Sequence, residues 1–208
     1  MWDAPTRSFH WLLAILIAAA WWTAEEEELA WHSRIGMAVL ALLVFRLIWG
    51  FVGGSTARFA GFVRGPRAIV AYLRGAAPPA IGHNPLGALS VLALLAMVGL
   101  IVGLGLFASD EDGVLPGPLS HLVSYEAAEA ATELHEALFD PLLALIALHF
   151  AAILYHAAVK RDDLIGPMLT GRGSAPDGVE PMRPAPAWRF VAALLLALAI
   201  SWWVWSGG

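Results

Sequence analysis

Five stretches of the chain are apolar almost without interruption, and the polar residues collect between them. They cover residues 8–24, 31–53, 86–108, 133–159 and 188–206. Each is close to the roughly 20 residues that a helix needs to cross the hydrocarbon core of a bilayer. The expected fold is therefore all-α, an integral membrane helical bundle with a four-helix core plus a fifth C-terminal transmembrane helix, residues 1–208 forming a single transmembrane domain. Local signals refine this picture. Asp3 or Thr6 can cap the first helix, with Pro5 tolerated in its first turn. Asn84-Pro85 reads as a helix-entry turn and Asp140-Pro141 as a break in the helix ladder. The connection from Arg58 to Gly82 contains an interfacial helix in GPRAIVAYLRG, and SHLVSYEAAEAATE reads as a surface helix. The stretch RDDLIGPMLTGRGSAPDGVEPMRPAPA has too much Gly and Pro for a packed element.

Composition fixes the class. Of 208 residues, 59% are hydrophobic and 14% charged, with a mean hydropathy of +0.70, far from the soluble norm. The first apolar run imitates a secretory signal, but Trp21 and Trp22 stand where small residues should lead into a cleavage site, so it is read as a retained span. Arg7, the cluster Arg58, Arg64, Arg67 and Arg74, and the group from Lys160 to Arg189 alternate with loops that lack Lys and Arg. These loops instead carry Glu25 to Glu28, Asp110, Glu111, Asp112, Glu126 and Glu129. The positive-inside rule places the N-terminus in the cytoplasm and the C-terminus outside. The net charge of −5 is thus a division between two faces, which speaks for an acidic outer surface and against nucleic-acid binding. The ten tryptophans gather at run ends, including Trp2, Trp21, Trp22, Trp31, Trp49, Trp188, Trp202, Trp203 and Trp205, as interfacial belts do.

The histidines carry the candidate chemistry. His135 and His149 are fourteen apart, which on a helix returns to within about 40° of the same face after a rise of about 21 Å. Counted down from the acidic side, His32 and His135 share an upper level. His10, about 21 Å below the top of its run, and His149, about 25 Å below Thr132, share a lower one. An imidazole in hydrocarbon needs a partner, and a pair of haems would serve both levels. The chain has no cysteine, which removes disulfides, C-x-x-C-H haem attachment and cysteine-ligated clusters, so histidine must hold any redox cofactor. The expected cofactors are two haem b groups with bis-histidine iron, one on His32 and His135, the other on His10 and His149. Arg46, fourteen residues beyond His32 on nearly the same face, is a candidate partner for a haem propionate or an arginine reaching the inner interface. Gly36, one turn from His32, would let a flat macrocycle lie close to the helix. Arg7 is a further candidate for cofactor binding, and His83 and His156 are candidates for a quinone or a propionate. The competing readings are a transporter or metal-handling protein whose histidines bind metal directly, and an anchor or assembly subunit in which haem is incidental.

These residues also carry a resemblance. DAPTRSFHW around His10, WHSRIG with FRLIWG in the second run, and LHEAL, ALHFAAILYH and KRDDLIGPML in and after the fourth are similar to the bacterial cytochrome b561 family. More widely, they resemble the b-type cytochrome subunits of nickel-iron hydrogenases and the membrane subunits of formate dehydrogenases. The resemblance implies two b haems on His10, His32, His135 and His149, in the bacterial cytoplasmic (inner) membrane. It implies electron exchange between a membrane quinone or quinol and a redox protein, such as a c-type cytochrome or a dehydrogenase or hydrogenase subunit. The lipid bilayer and a second copy of the chain in a homodimer complete the expected partners. Such relatives usually have four spans, so the fifth run is a departure.

Overall fold

In the computed structural model residues 2–76, 81–109, 115–173 and 179–208 are described, and every regular element among them is helical. The long helices are α1 (Ala4–Glu25) and α2 (Leu29–Val52), followed by the short α3 (Phe59–Phe62) and α4 (Pro66–Leu73), then α5 (Pro85–Phe107). A 3-10 turn at Ser120–Leu122 precedes α6 (Tyr125–Ala137) and α7 (Phe139–Tyr155), which ends in a π-helical turn at His156–Lys160. The short α8 (Ile165–Thr170) and the closing α9 (Ala187–Trp205) complete the order. Among the described residues four stretches are long and apolar enough to cross a membrane: α2, α5, the run Tyr125–Lys160 and α9. α1, with 22 residues, is comparable in length to α2, α5 and α9 but is less apolar because Thr6, Arg7, Ser8 and His10 crowd its first turns.

Local chemistry accounts for the boundaries. Asp3 caps α1, its Oδ1 accepting from the Thr6 amide at 2.9 Å. Asn84 caps α5 in the same way, accepting from the Gly87 amide at 2.7 Å. Pro141 has no amide hydrogen to give the carbonyl of Ala137, and the helix is interrupted one residue later, at Leu138, between α6 with His135 and α7 with His149. The expected interfacial helix forms as α4, with Pro66 in its first turn. Part of the Gly- and Pro-rich linker differs from expectation. Asp163 accepts from the amides of Ile165 and Gly166 at 3.0 and 2.8 Å and starts α8, which buries Pro167. The surface helix also differs, since α6 starts at Tyr125 and runs to within one residue of α7. Asp110, Glu111 and Asp112 of the acidic loop lie outside the described residues.

The chain divides into two compact units, to both of which each long helix contributes. The first comprises Met1–Phe9, Arg46–Leu94 and Leu145–Ala193. Its interior is built on Phe9, Trp49, Ala57, Phe62, Ala88 and Ala193 together with buried Asp3, Thr6 and Arg46. Two bonds join the linker to the turn after α2, the Ser55 amide to the Arg183 carbonyl and the Arg183 amide to the Ser55 hydroxyl, both 3.0 Å. The second unit comprises His10–Phe45, Leu95–Ala144 and Leu194–Gly208. There the loop after α5 folds back, Gly117 and Leu119 donating to the carbonyls of Ala108 and Leu106 at 2.8 Å. Thr132 of α6 both accepts from and donates to the Ser109 backbone, at 3.0 and 2.9 Å.

Trp49 departs from the interfacial-belt expectation. Trp21, Trp22, Trp31, Trp188, Trp202, Trp203 and Trp205 are exposed, but Trp49 is 2% exposed. A buried indole N–H needs an acceptor, and Trp49 finds one in the Asp3 carboxylate at 3.0 Å.

Candidate cofactor site

In the second unit α2 and α6 bring His32 and His135 together, with ring centroids 5.8 Å apart and planes at 82°. Each ring is fixed by its Nδ1. That of His32 lies 2.9 Å from the carbonyl oxygen of Ala20 on α1, and that of His135 lies 2.8 Å from the carbonyl oxygen of Ile101 on α5. A carbonyl only accepts, so both Nδ1 atoms carry the hydrogen, and in the neutral rings both Nε2 atoms keep a lone pair. Metal-ligating histidines are oriented in this way, one nitrogen anchored to a carbonyl and the other left for the metal. Two metal–imidazole bonds of about 2 Å each place the ring centres of a trans pair about 6 Å apart, close to the spacing seen.

Glycines shape this site. A Cβ on Gly105 of α5 would come within 2.9 Å of His135 Cε1, so only glycine lets that ring lie against the helix. A Cβ on Gly36 would meet nothing within 4 Å, and the same holds for Gly99 and Gly103 of α5. The residues present therefore fit a flat group with two axial imidazoles: two lone-pair nitrogens, a matching separation and helix surface free of side chains near one of them. Among the described residues no three His, Cys, Asp or Glu side chains gather into a metal-binding group, so each metal ion would have at most two such donors.

The other candidates are distributed between the units. His10 lies on α1 in the second unit and His149 on α7 in the first, and both are half-buried. Arg46, in the first unit, is 2% exposed, with its guanidinium 4.8 Å from the centre of the Phe59 ring. Its Nη1 is buried without a hydrogen-bond partner, and the carboxylate of Asp3 is close enough to act on its charge. The Asp3 carboxylate was not expected from the spans alone, because it lies in the turn before the first of them. Arg7 serves the packing of the first unit. Its Nη1 donates to the Leu169 carbonyl at 2.7 Å, at the C-terminal end of α8, and its guanidinium lies against Gly171. His83 packs against Trp2 at 4.5 Å and Phe62 at 4.6 Å, beside the Asn84 cap, in keeping with a helix-entry turn.

His156 belongs to a hydrogen-bonded set that sequence reading missed. Its Nε2 is 3.3 Å from the Tyr72 hydroxyl, and its Nδ1 is 3.3 Å from Asp162 Oδ2. No spacing rule links Tyr72 of α4 to His156, and the turn that returns Asp162 to the ring has no sequence signature.

Comparison with known proteins gives one family. The model described as prokaryotic cytochrome b561 matches residues 1–171. Searches of curated proteins and of solved structures found no match.

Proposed function

This chain belongs to the prokaryotic cytochrome b561 family, and on that premise we propose that it is a dihaem cytochrome relaying electrons between the quinone pool and a redox protein partner. Membership makes it a multi-pass bacterial membrane protein and a b-type cytochrome. In the proposal the membrane is the cytoplasmic one, all five long helices span it, and the N-terminus faces the cytoplasm.

His32 and His135 hold one haem, and the observation that carries this reading is their shared geometry: anchored Nδ1 atoms, lone-pair Nε2 atoms and a 5.8 Å separation. His10 and His149 hold the second, a reading supported by the helical spacing of the four histidines. Gly36 leaves space for the macrocycle. Arg46 pairs with a propionate, supported by its buried Nη1. Arg7 has a smaller part, because one of its nitrogens already serves Leu169. Held by two imidazoles, haem b would supply one-electron exchange. The protein's own residues fix the imidazole tautomers, compensate anionic charge at Arg46 and keep the rings in place between electron arrivals.

The test is haem content by the pyridine haemochrome method. His149→Ala should lose one of two haems per chain and keep most of the one on His32 and His135. Two full haems in that variant would contradict the assignment.

A further inference from the structure

We propose that Asp162, His156 and Tyr72 form a proton relay to a quinone, with Tyr72 handing the proton to the quinone oxygen. The inference rests on the quinone-exchange reading above and adds the residues that move the proton.

The direction of the relay follows from the donors. A carboxylate accepts, so the His156 Nδ1–H donates to Asp162, which leaves Nε2 to accept from the Tyr72 hydroxyl. Carboxylate, imidazole and hydroxyl in this order are the parts of a general acid–base chain. Separations of 3.3 Å are long for hydrogen bonds, as is common before a substrate tightens them.

An unusual backbone builds the chain. The π turn at His156–Lys160 is followed by Arg161 at φ 54°, and the Asp162 amide then closes onto the His156 carbonyl at 3.0 Å. A left-handed non-glycine residue is strained backbone, and π turns occur frequently at functional sites. Here the two together return Asp162 to the imidazole six residues before it.

The surroundings indicate what the relay serves. Asp162 is 58% exposed, whereas His156 is 14% exposed. Leu73, next to Tyr72, and Leu154, Tyr155 and Val159, around His156, are exposed apolar side chains in the same unit. The relay therefore has an exposed carboxylate at one end and exposed apolar side chains beside its imidazole and hydroxyl, which the membrane-spanning reading sets against lipid. A ligand that reaches this place through lipid and takes up both electrons and protons has the chemistry of a quinone. Burial, followed by the charges of Asp162 and Tyr155, raises the Tyr72 pKa, so its hydroxyl stays protonated at neutral pH. Lys160 and Arg161 flank the imidazole in the same turn.

Reduction of a quinone to a quinol takes two electrons and two protons. The electrons arrive singly from b-type haem. For each proton, protonated His156 gives its Nε2–H to the Tyr72 oxygen as the Tyr72 O–H proton passes to the quinone oxygen. This leaves His156 neutral with its Nδ1–H still on Asp162, and its Nε2 takes the next proton from water, Asp162 stabilising the imidazolium that forms. Quinol oxidation is the reverse.

The experiment uses the full-length holoprotein in mild detergent, reduced and freed of reductant, then mixed with duroquinone or with ferricyanide while haem oxidation is followed. Tyr72→Phe should be at least about tenfold slower with duroquinone and unchanged with ferricyanide, which takes an electron without a proton. Asp162→Asn, at an exposed position, should slow the duroquinone reaction several-fold and change its pH profile. A Tyr72→Phe protein that keeps the wild-type duroquinone rate, or slows equally with both oxidants, would overturn the relay. If Tyr72→Phe does not assemble with haem, an Asp162→Asn protein with wild-type rate and pH profile would overturn it. A wild-type protein oxidised by ferricyanide but not by duroquinone would remove the quinone reading itself, and the relay with it.

Discussion

The polar groups around Asp3 in the first unit and the imidazoles of His32 and His135 in the second are both enclosed by helices, but their bonding differs. Asp3 uses one carboxylate oxygen to cap α1 and the other to hold the Trp49 indole. The glycines beside this cluster are closed. A Cβ on Gly54 would lie 2.7 Å from Asp3 Oδ2, one on Gly53 would lie 2.7 Å from the Trp49 indole nitrogen, and one on Gly50 would run into the Phe59 ring. Beside the imidazole pair Gly105 is closed against His135 itself and Gly117 against the Gly105 carbonyl, while Gly36 opens onto free space. Each imidazole spends one nitrogen on a backbone carbonyl and keeps the other. A carboxylate such as Asp3, with both oxygens bonded inside the fold, holds helices together. Polar groups oriented by one bond, with a donor atom in reserve and space nearby, are suited to a ligand.

The largest expected effect breaks the second region alone. His32→Ala and His135→Ala should each lose about one haem per chain, and the double variant should lose no more than either single one, because both rings serve one iron. Pyridine haemochrome analysis of the three variants measures this. Additive losses would mean that the rings serve different groups. Next, Asp3→Ala removes a helix cap worth about 0.5–2 kcal/mol and leaves a buried indole N–H unsatisfied at about 1–3 kcal/mol. It should markedly lower the unfolding midpoint in detergent while the folded protein keeps its haem content. Smaller again is Gly54→Ala, where the added methyl presses on a carboxylate held by two bonds, at a cost of about 1–3 kcal/mol. The smallest effect has the opposite sign. Gly36→Ala places a methyl in open space inside a helix and should raise the stability of the haem-free protein by less than about 1 kcal/mol. Equal destabilisation by the two alanines would remove the distinction between closed and open regions.

The helices were legible because apolar runs of spanning length leave few alternatives. The nearness of His32 to His135 was legible because helical rise turns sequence position into depth. The break beside Pro141 and the Asn84 cap followed from backbone chemistry at single residues. The bonds of Asp3 and Arg7 were hidden for a common reason. Trp49 stands where an interfacial tryptophan would, and its acceptor is 46 residues earlier, so only the packing of α1 on α2 reveals it. Arg7 likewise meets a carbonyl 162 residues away. α8 was hidden because the Asp163 cap overrides an unfavourable composition. Hydropathy weighs residues along one chain, whereas these contacts depend on which helix faces which.

The most direct measurement is the number of b haems in the wild-type protein, by pyridine haemochrome quantification beside a dithionite-reduced minus oxidised spectrum in mild detergent. Two haem b per chain are expected, with one dependent on His32 and His135. A colourless protein from haem-replete cells, or full haem content when both rings are replaced, would contradict it.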